Sequence, residues 1–166
     1  MQQSLVFPGS FDPFTNGHTD IVERAALLFP KVVIGVLENP TKECLFTLDE
    51  RVAIIRETFR GFDNVEVMSF TGLLVDFVRK VGASLVLRGL RMVSDYEFET
   101  QMALMNRHLA PEIETIFMMA REESSYVSSS VVKQIALLRG NVEGLVPDSA
   151  LKALKLKYEK YSNERS

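Results

Sequence analysis

Four separate segments of this chain carry side chains able to hold polyanions. The first, Gly9-Ser10-Phe11-Asp12-Pro13-Phe14-Thr15-Asn16-Gly17-His18, supplies a hydroxyl and an imidazole, with Gly17 and His18 in the first turn of a helix that begins near Asn16. The second, Asn39-Pro40-Thr41-Lys42, supplies an ammonium, and the third, Arg88-Gly89-Leu90-Arg91, two guanidinium groups. The fourth is Arg121 followed by Ser124, Ser125, Tyr126, Val127, Ser128, Ser129 and Ser130, a run of hydroxyls that opens another helix. Backbone N–H groups at a helix start are unpaired and lie at the positive end of the helix dipole, so they attract phosphate. A glycine there lets a bulky ligand approach the backbone. These residue types form a polyphosphate-binding set with one imidazole facing the same anion.

The elements between these segments must bring them together. Short, nearly continuous apolar runs at 4–7, 32–37, 65–70, 85–88 and 115–119 read as strands covered on both faces. Apolar residues at helical spacing separate them: Ile21, Val22, Ala25, Leu28 and Phe29; Leu48, Val52, Ile55 and Phe59; Leu73, Leu74, Phe77, Val78 and Val81. Thr47 with Glu50, and Ser94 with Glu97, read as capping boxes, and Gly82 as a left-handed stop after the third helix. A later helix carries Val131, Val132, Ile135 and Leu138 and is closed by Gly140. Pro147-Asp148 opens a final helix with Leu151, Leu154, Tyr158 and Tyr161 on one face, and residues 161–166 read as a frayed tail. Repeated β-α-β units imply an α/β fold: a doubly wound, five-stranded parallel sheet with helices on both faces and a C-terminal helix. Ligands in such sheets bind beyond the strand carboxyl ends, where strand order reverses. The residues after strands one, two, four and five are therefore expected to converge.

Bulk properties narrow the classes. A length of 166 residues suits one domain, and 46% apolar with 25% charged residues suits a soluble globular protein. A formal net charge of −3 gives no sign of a nucleic-acid partner, so an anionic substrate needs a local cationic site. Cys44 is the only cysteine, which excludes an internal disulfide and a cysteine-based zinc site; it reads as a neutral loop residue. No targeting segment or membrane-length apolar run is present, so the cytoplasm is the expected location. Neither G-x-G-x-x-G nor G-x-x-x-x-G-K-[ST] occurs, which argues against a dinucleotide oxidoreductase.

Individual residues also have ordinary readings. Arg88 closes the apolar run Leu85-Val86-Leu87, so it lies near the core and needs a carboxylate or phosphate partner. One serine of 128–130 is expected to be a helix cap. Asp12 reads as a cap of the glycine turn, with metal proximity as the alternative. Asp95, Glu97 and Glu99 suit the start of their helix, and His108 its end.

Thr15-Asn16-Gly17-His18 resembles the HxGH signature of the nucleotidyltransferase superfamily, with Thr15 in place of the usual first histidine. The whole loop is similar to that of the bacterial phosphopantetheine adenylyltransferases. The likeness continues through residues 46–53, Leu87-Arg88-Gly89-Leu90-Arg91, Asp95-Tyr96-Glu97-Phe98-Glu99, Met105-Asn106-Arg107-His108-Leu109 and Val127-Ser128-Ser129-Ser130. The resemblance implies transfer of the adenylyl group of ATP to 4′-phosphopantetheine, with Mg²⁺, giving dephospho-coenzyme A and pyrophosphate. It implies that Ser10, Lys42, Leu74 and Arg88 contact phosphopantetheine. ATP would be held by Ser10, Phe11, His18, Gly89, Leu90, Arg91, Glu99 and the loop Ser124, Ser125, Tyr126, Val127, Ser128, Ser129 and Ser130. His18 would stabilise the transition state. A homohexamer and feedback by coenzyme A are further family expectations, and the resemblance assigns no direct metal ligand. Ser10 stands where Thr is common, Tyr126 where Phe is common, and Ser124 where an aromatic residue often lies near adenine. Two other classes share the sheet: a transferase acting on nicotinamide mononucleotide or a phospho-alcohol, and a non-catalytic nucleotide sensor.

Overall fold

A computed structural model describes residues 4–39 and 43–163, with side chains outside the description at 94 and 160–163. Five parallel strands, β1 (Ser4–Gly9), β2 (Lys31–Leu37), β3 (Val65–Phe70), β4 (Leu85–Leu90) and β5 (Glu114–Met119), lie in the order β3-β2-β1-β4-β5. This is the expected doubly wound sheet. Strand order reverses between β1 and β4.

Period-two alternation divides the core. Leu5, Phe7, Val32, Ile34 and Val36 face one hydrophobic cluster, whereas Val6, Val33 and Val86 face the other. Helices α1 (Asn16–Leu28), α2 (Leu48–Thr58), α6 (Ser129–Leu137) and α7 (Asp148–Asn163) contribute to the first cluster. Helix α3 (Leu74–Lys80), with Ala110 after α4 (Val93–Leu109), contributes to the second. On that second face Gly35 has no side chain because Phe70 and Phe77 stack over it, their rings 4.4 Å apart. A Cβ at Gly35 would lie 2.7 Å from the Phe77 ring.

Several boundaries move. β1 and β4 each run two residues beyond the apolar pattern, because main-chain pairing on the outer neighbours continues to Gly9 and Leu90. Helix α4 begins at Val93, so Ser94 lies inside it; the Asp95 carboxylate instead accepts the N–H groups of Arg91 (3.2 Å) and Met92 (3.4 Å). Thr47 and Glu50 do form the expected capping box. Gly82 takes φ +68°, but at the end of α6 the left-handed residue is Arg139 (φ 61°), one before Gly140. Gly140 donates to the Ile135 carbonyl, and an added Cβ would meet Ile135 Cγ2 at 2.6 Å, so close approach is what that position requires. Leu28, Leu73 and Leu138, placed on apolar helix faces by spacing, are exposed near helix ends. Part of the serine-rich loop is a four-residue helix, α5 (Glu122–Ser125). Helix α7 continues to Asn163, past the expected start of a frayed tail. No described helix is long and apolar enough to cross a membrane.

Candidate active site

The site arises where β1 and β4 part. They pair only at Leu5 with Leu85 and Val6 with Val86, although both strands continue. Pro8 has no N–H to give, so the ladder cannot extend through it. Its carbonyl accepts instead from Arg88 Nη1 at 2.8 Å. A cleft of about 340 Å³ opens at this point, bordered by the β1 loop, the end of β4, Ala120 after β5 and the start of α6.

His18 sits in this cleft as a built-in part of the helix start. Thr15 caps α1, its Oγ1 accepting from the His18 N–H, while His18 Nδ1 accepts the Thr15 N–H at 3.0 Å. The imidazole thus takes the place that Glu or Gln holds in an ordinary capping box. A backbone N–H can only donate, so Nδ1 carries the lone pair and the ring proton lies on Nε2. The remaining edge of the ring offers a donor to the cleft. Phe7, Phe11 and Phe14 surround the imidazole, with ring centroids 6.2, 5.1 and 5.1 Å away. Loss of water around the ring, with the positive fields of Arg91 and then Arg88, lowers its pKa from 6.5 to about 3. At neutral pH His18 is an uncharged hydrogen-bond donor.

The loop that carries it is tightly specified. Phe11 adopts φ 50°, a left-handed conformation that its ring, buried against Phe7 and Phe14, holds in place. Gly9 must lack a side chain, since a Cβ would come within 2.8 Å of that ring. Gly89 is likewise close to Ile21 of α1, where a Cβ would lie at 3.2 Å. Gly17 is different: a Cβ there would meet Ser124 at an ordinary 3.5 Å, so packing within the chain does not demand glycine.

The cations are mostly paired. Arg88 forms a two-pronged pair with Glu99, both N–O distances 2.6 Å, which satisfies the expectation of a carboxylate partner. Arg91 pairs with Asp95 at 3.3 Å and donates to the Val127 carbonyl at 3.2 Å. Arg121 is held away from the cleft by Asp20, 2.9 Å distant, which also binds Arg24. Ser128 caps α6 by accepting from Val131 N–H, and Ser129 donates to the Pro13 carbonyl at 2.8 Å.

The structure brings Ser10, Phe11, His18, Arg88, Gly89, Arg91, Glu99, Val127, Ser128, Ser129 and Ser130 to one cleft. Phe11 lines it with a ring that is otherwise core, 4% exposed, so its free polar groups are main-chain ones. Leu74 packs against the second core cluster, and Leu90 is buried at the strand end; neither borders the cleft. Ser124, Ser125 and Tyr126 stand outside its wall, Ser124 against Gly17 and Tyr126 largely exposed. Lys42 lies outside the described residues.

Sequence reasoning missed Lys133 and Arg51 and misread Asp12. Asp12 is 2% exposed and does not cap the glycine turn. Its carboxylate accepts the N–H groups of Leu45 and Phe46, each at 2.9 Å, and pairs with Lys133 at 2.8 Å. Arg51, also buried, donates to the Ser10 carbonyl at 2.7 Å and the Leu37 carbonyl at 3.0 Å, joining the ends of β1 and β2. The available signal for Arg51 was a charged residue three positions from Leu48, on the buried stripe of its helix. For Lys133 it was the four-residue spacing from Ser129.

Residues 6–135 match the family described as cytidylyltransferase-like. A phosphopantetheine adenylyltransferase from Thioalkalivibrio sulfidiphilus is 54% identical over 155 residues, covering 93% of this chain and 98% of the relative. One from Alkaliphilus metalliredigens is 49% identical, over 92% of this chain and 97% of its own. The chain belongs to the phosphopantetheine adenylyltransferase family. A solved structure of a putative nicotinate-nucleotide adenylyltransferase from Vibrio parahaemolyticus aligns with a TM-score of 0.68 over 95% of both chains. At 13% identity that likeness carries the fold alone, a Rossmann-like parallel sheet.

Proposed function

We propose that this chain transfers the adenylyl group of ATP to 4′-phosphopantetheine, forming dephospho-coenzyme A and pyrophosphate. The observation that carries the reading is the neutral His18, with Nδ1 tied to the backbone and Nε2–H left for the cleft, in a chain about half identical to phosphopantetheine adenylyltransferases.

A phosphate oxygen of phosphopantetheine attacks the α-phosphorus of ATP, and the bond to the bridging oxygen of the β-phosphate breaks. The electron pair leaves with pyrophosphate. The attacking monoester has a second pKa of about 6, so it is largely ionised at neutral pH and needs no protein base. The chain's task is alignment and charge stabilisation. His18 Nε2–H donates to a non-bridging oxygen of the α-phosphate as charge builds there. Arg91 and the α6 start with Ser128, Ser129 and Ser130 attract the β- and γ-phosphates. Arg88, Ser10 and Lys42 attract the phosphate of the acceptor.

Mg²⁺ is expected to arrive with the nucleotide and to neutralise phosphate charge when bound. Among the described residues no three metal-binding side chains cluster, and the cleft carboxylates Asp12, Asp95 and Glu99 already hold cations. Phosphate oxygens and water fit such an ion better than a protein cage. Helix α4 exposes Phe98, Met102, Met105 and Leu109 on one face. We infer that copies of this chain cover that face in a homohexamer, within the cytoplasm, and that coenzyme A acts as a feedback inhibitor. Light scattering checks the assembly.

The deciding experiment offers ATP, phosphopantetheine and Mg²⁺ and follows dephospho-coenzyme A and pyrophosphate. Turnover with nicotinamide mononucleotide but not phosphopantetheine overturns the reading.

A further inference from the structure

We propose that Asp12 and Lys133 form a positioning pair that fixes both walls of the cleft relative to each other, and that its loss weakens the handling of both substrates. The role rests on the adenylyl-transfer reading above.

The geometry converges on one carboxylate. Asp12 belongs to the β1 loop, six residues before His18. It accepts Leu45 N–H and Phe46 N–H, which belong to the segment leading into α2 and come three and four residues after Lys42 in the chain. It also holds Lys133 Nζ, on α6, at 2.8 Å. Ser129, one turn before Lys133 on the same helix face, donates to the carbonyl of Pro13, the next residue after Asp12. Two adjacent residues of the first loop thus grip α6 at two points one turn apart. The first of these points lies in the α6 start that is assigned to the ATP phosphates. The same carboxylate anchors the segment that adjoins the proposed acceptor-phosphate lysine.

Charge balance decides how Lys133 acts. Asp12 is almost wholly buried, and a buried carboxylate requires a cation and donors. With two N–H groups and one ammonium it has them. Lys133, 24% exposed in its side chain, is the only cation paired with this buried carboxylate among the described residues. Its effect therefore passes through Asp12.

The test compares Lys133→Met, Asp12→Asn and the double variant by steady-state kinetics with each substrate varied in turn. Amide hydrogen exchange at Leu45 and Phe46 is followed in parallel. Each single change is expected to raise KM for both ATP and phosphopantetheine about tenfold, the scale of one charge-assisted contact, with a smaller change in kcat. The double variant should be no worse than the poorer single one, because the two groups act as a unit. Exchange at Leu45 and Phe46 should quicken in Lys133→Met although Lys133 touches neither, and Lys133→Arg, which can still reach the carboxylate, should restore both readouts. Multiplying effects in the double variant overturn the proposal. So does a rise in KM for ATP alone with unchanged exchange, which makes Lys133 a phosphate ligand, or a lower melting temperature with unchanged KM values. If Asp12→Asn does not fold, the KM pair and the exchange rates of Lys133→Met decide by themselves. If the unaltered chain does not adenylylate phosphopantetheine, the reaction reading fails, while the exchange comparison still decides whether the pair couples the two walls.

Discussion

Replacing His18 with alanine removes the neutral imidazole donor to which the proposed reaction assigns the developing charge on the α-phosphate. The size of the effect follows from the tautomer. Nδ1 is occupied by the Thr15 N–H, so Nε2–H is the ring's sole proton and no rotation of the imidazole can present another. A fixed donor of this kind contributes roughly 3–4 kcal/mol to a transition state, or about 10²–10³-fold in kcat. Ground-state binding gains far less from the same contact, and the neutral ring contributes no net charge to ATP affinity. His18→Ala should therefore lower kcat about 10²–10³-fold while the Kd for ATP, measured by calorimetry, changes less than about threefold. The variant also loses the imidazole half of the capping box, about 1 kcal/mol, and leaves a gap among Phe7, Phe11 and Phe14. Kinetics must thus be taken well below its melting temperature. Pyrophosphate release in a coupled assay gives kcat directly. A kcat within fivefold of the unaltered chain, in a folded variant, refutes the assigned role.

Three further outcomes are expected. His18 titrates near 6.5 when unfolded and about 3 when folded, so between those values the unfolded chain binds a proton that the folded chain refuses, and stability falls as pH drops from 6.5 toward 3. The full shift corresponds to about 5 kcal/mol, and a ring that still borders the cleft should express roughly half of it; urea unfolding at pH 7 and pH 4 should show a smaller acid loss in His18→Ala, and equal losses would contradict the lowered pKa. Glu99→Gln removes the carboxylate facing Arg88 at 2.6 Å and should cost about 1–3 kcal/mol in urea unfolding, with an unchanged midpoint counting against a structural pair. Gly35→Ala drives a methyl to 2.7 Å from the Phe77 ring and should cost about 1–3 kcal/mol by the same measurement, because that ring is stacked and cannot withdraw; a neutral result would mean that this face of the sheet packs loosely.

The alternation of apolar runs was sufficient to set five parallel strands and the rim at which loops collect, since period and length are local properties of the chain. His18 was legible because a helix start, a glycine and an imidazole lie within four residues, and Arg88 because a cation ending a buried strand needs a partner. The sequence could also demand that partner without naming it: Glu99 is eleven residues away on another element, and only the packing of α4 against β4 selects it over Asp95 and Glu97. Asp12 was misread for the same reason. Its donors lie 33, 34 and 121 residues along the chain, beyond any spacing rule. The lone pair on His18 Nδ1 depended on the turn geometry that points Thr15 N–H at the ring, and the charge state of the imidazole on the burial and the two arginines that folding places around it. Local sequence determined which groups reach the carboxyl ends of the strands. Tertiary structure decided which of them are neutralised by one another and which face the cleft, because charge pairing acts through space and the distances are set only when the sheet and its helices close.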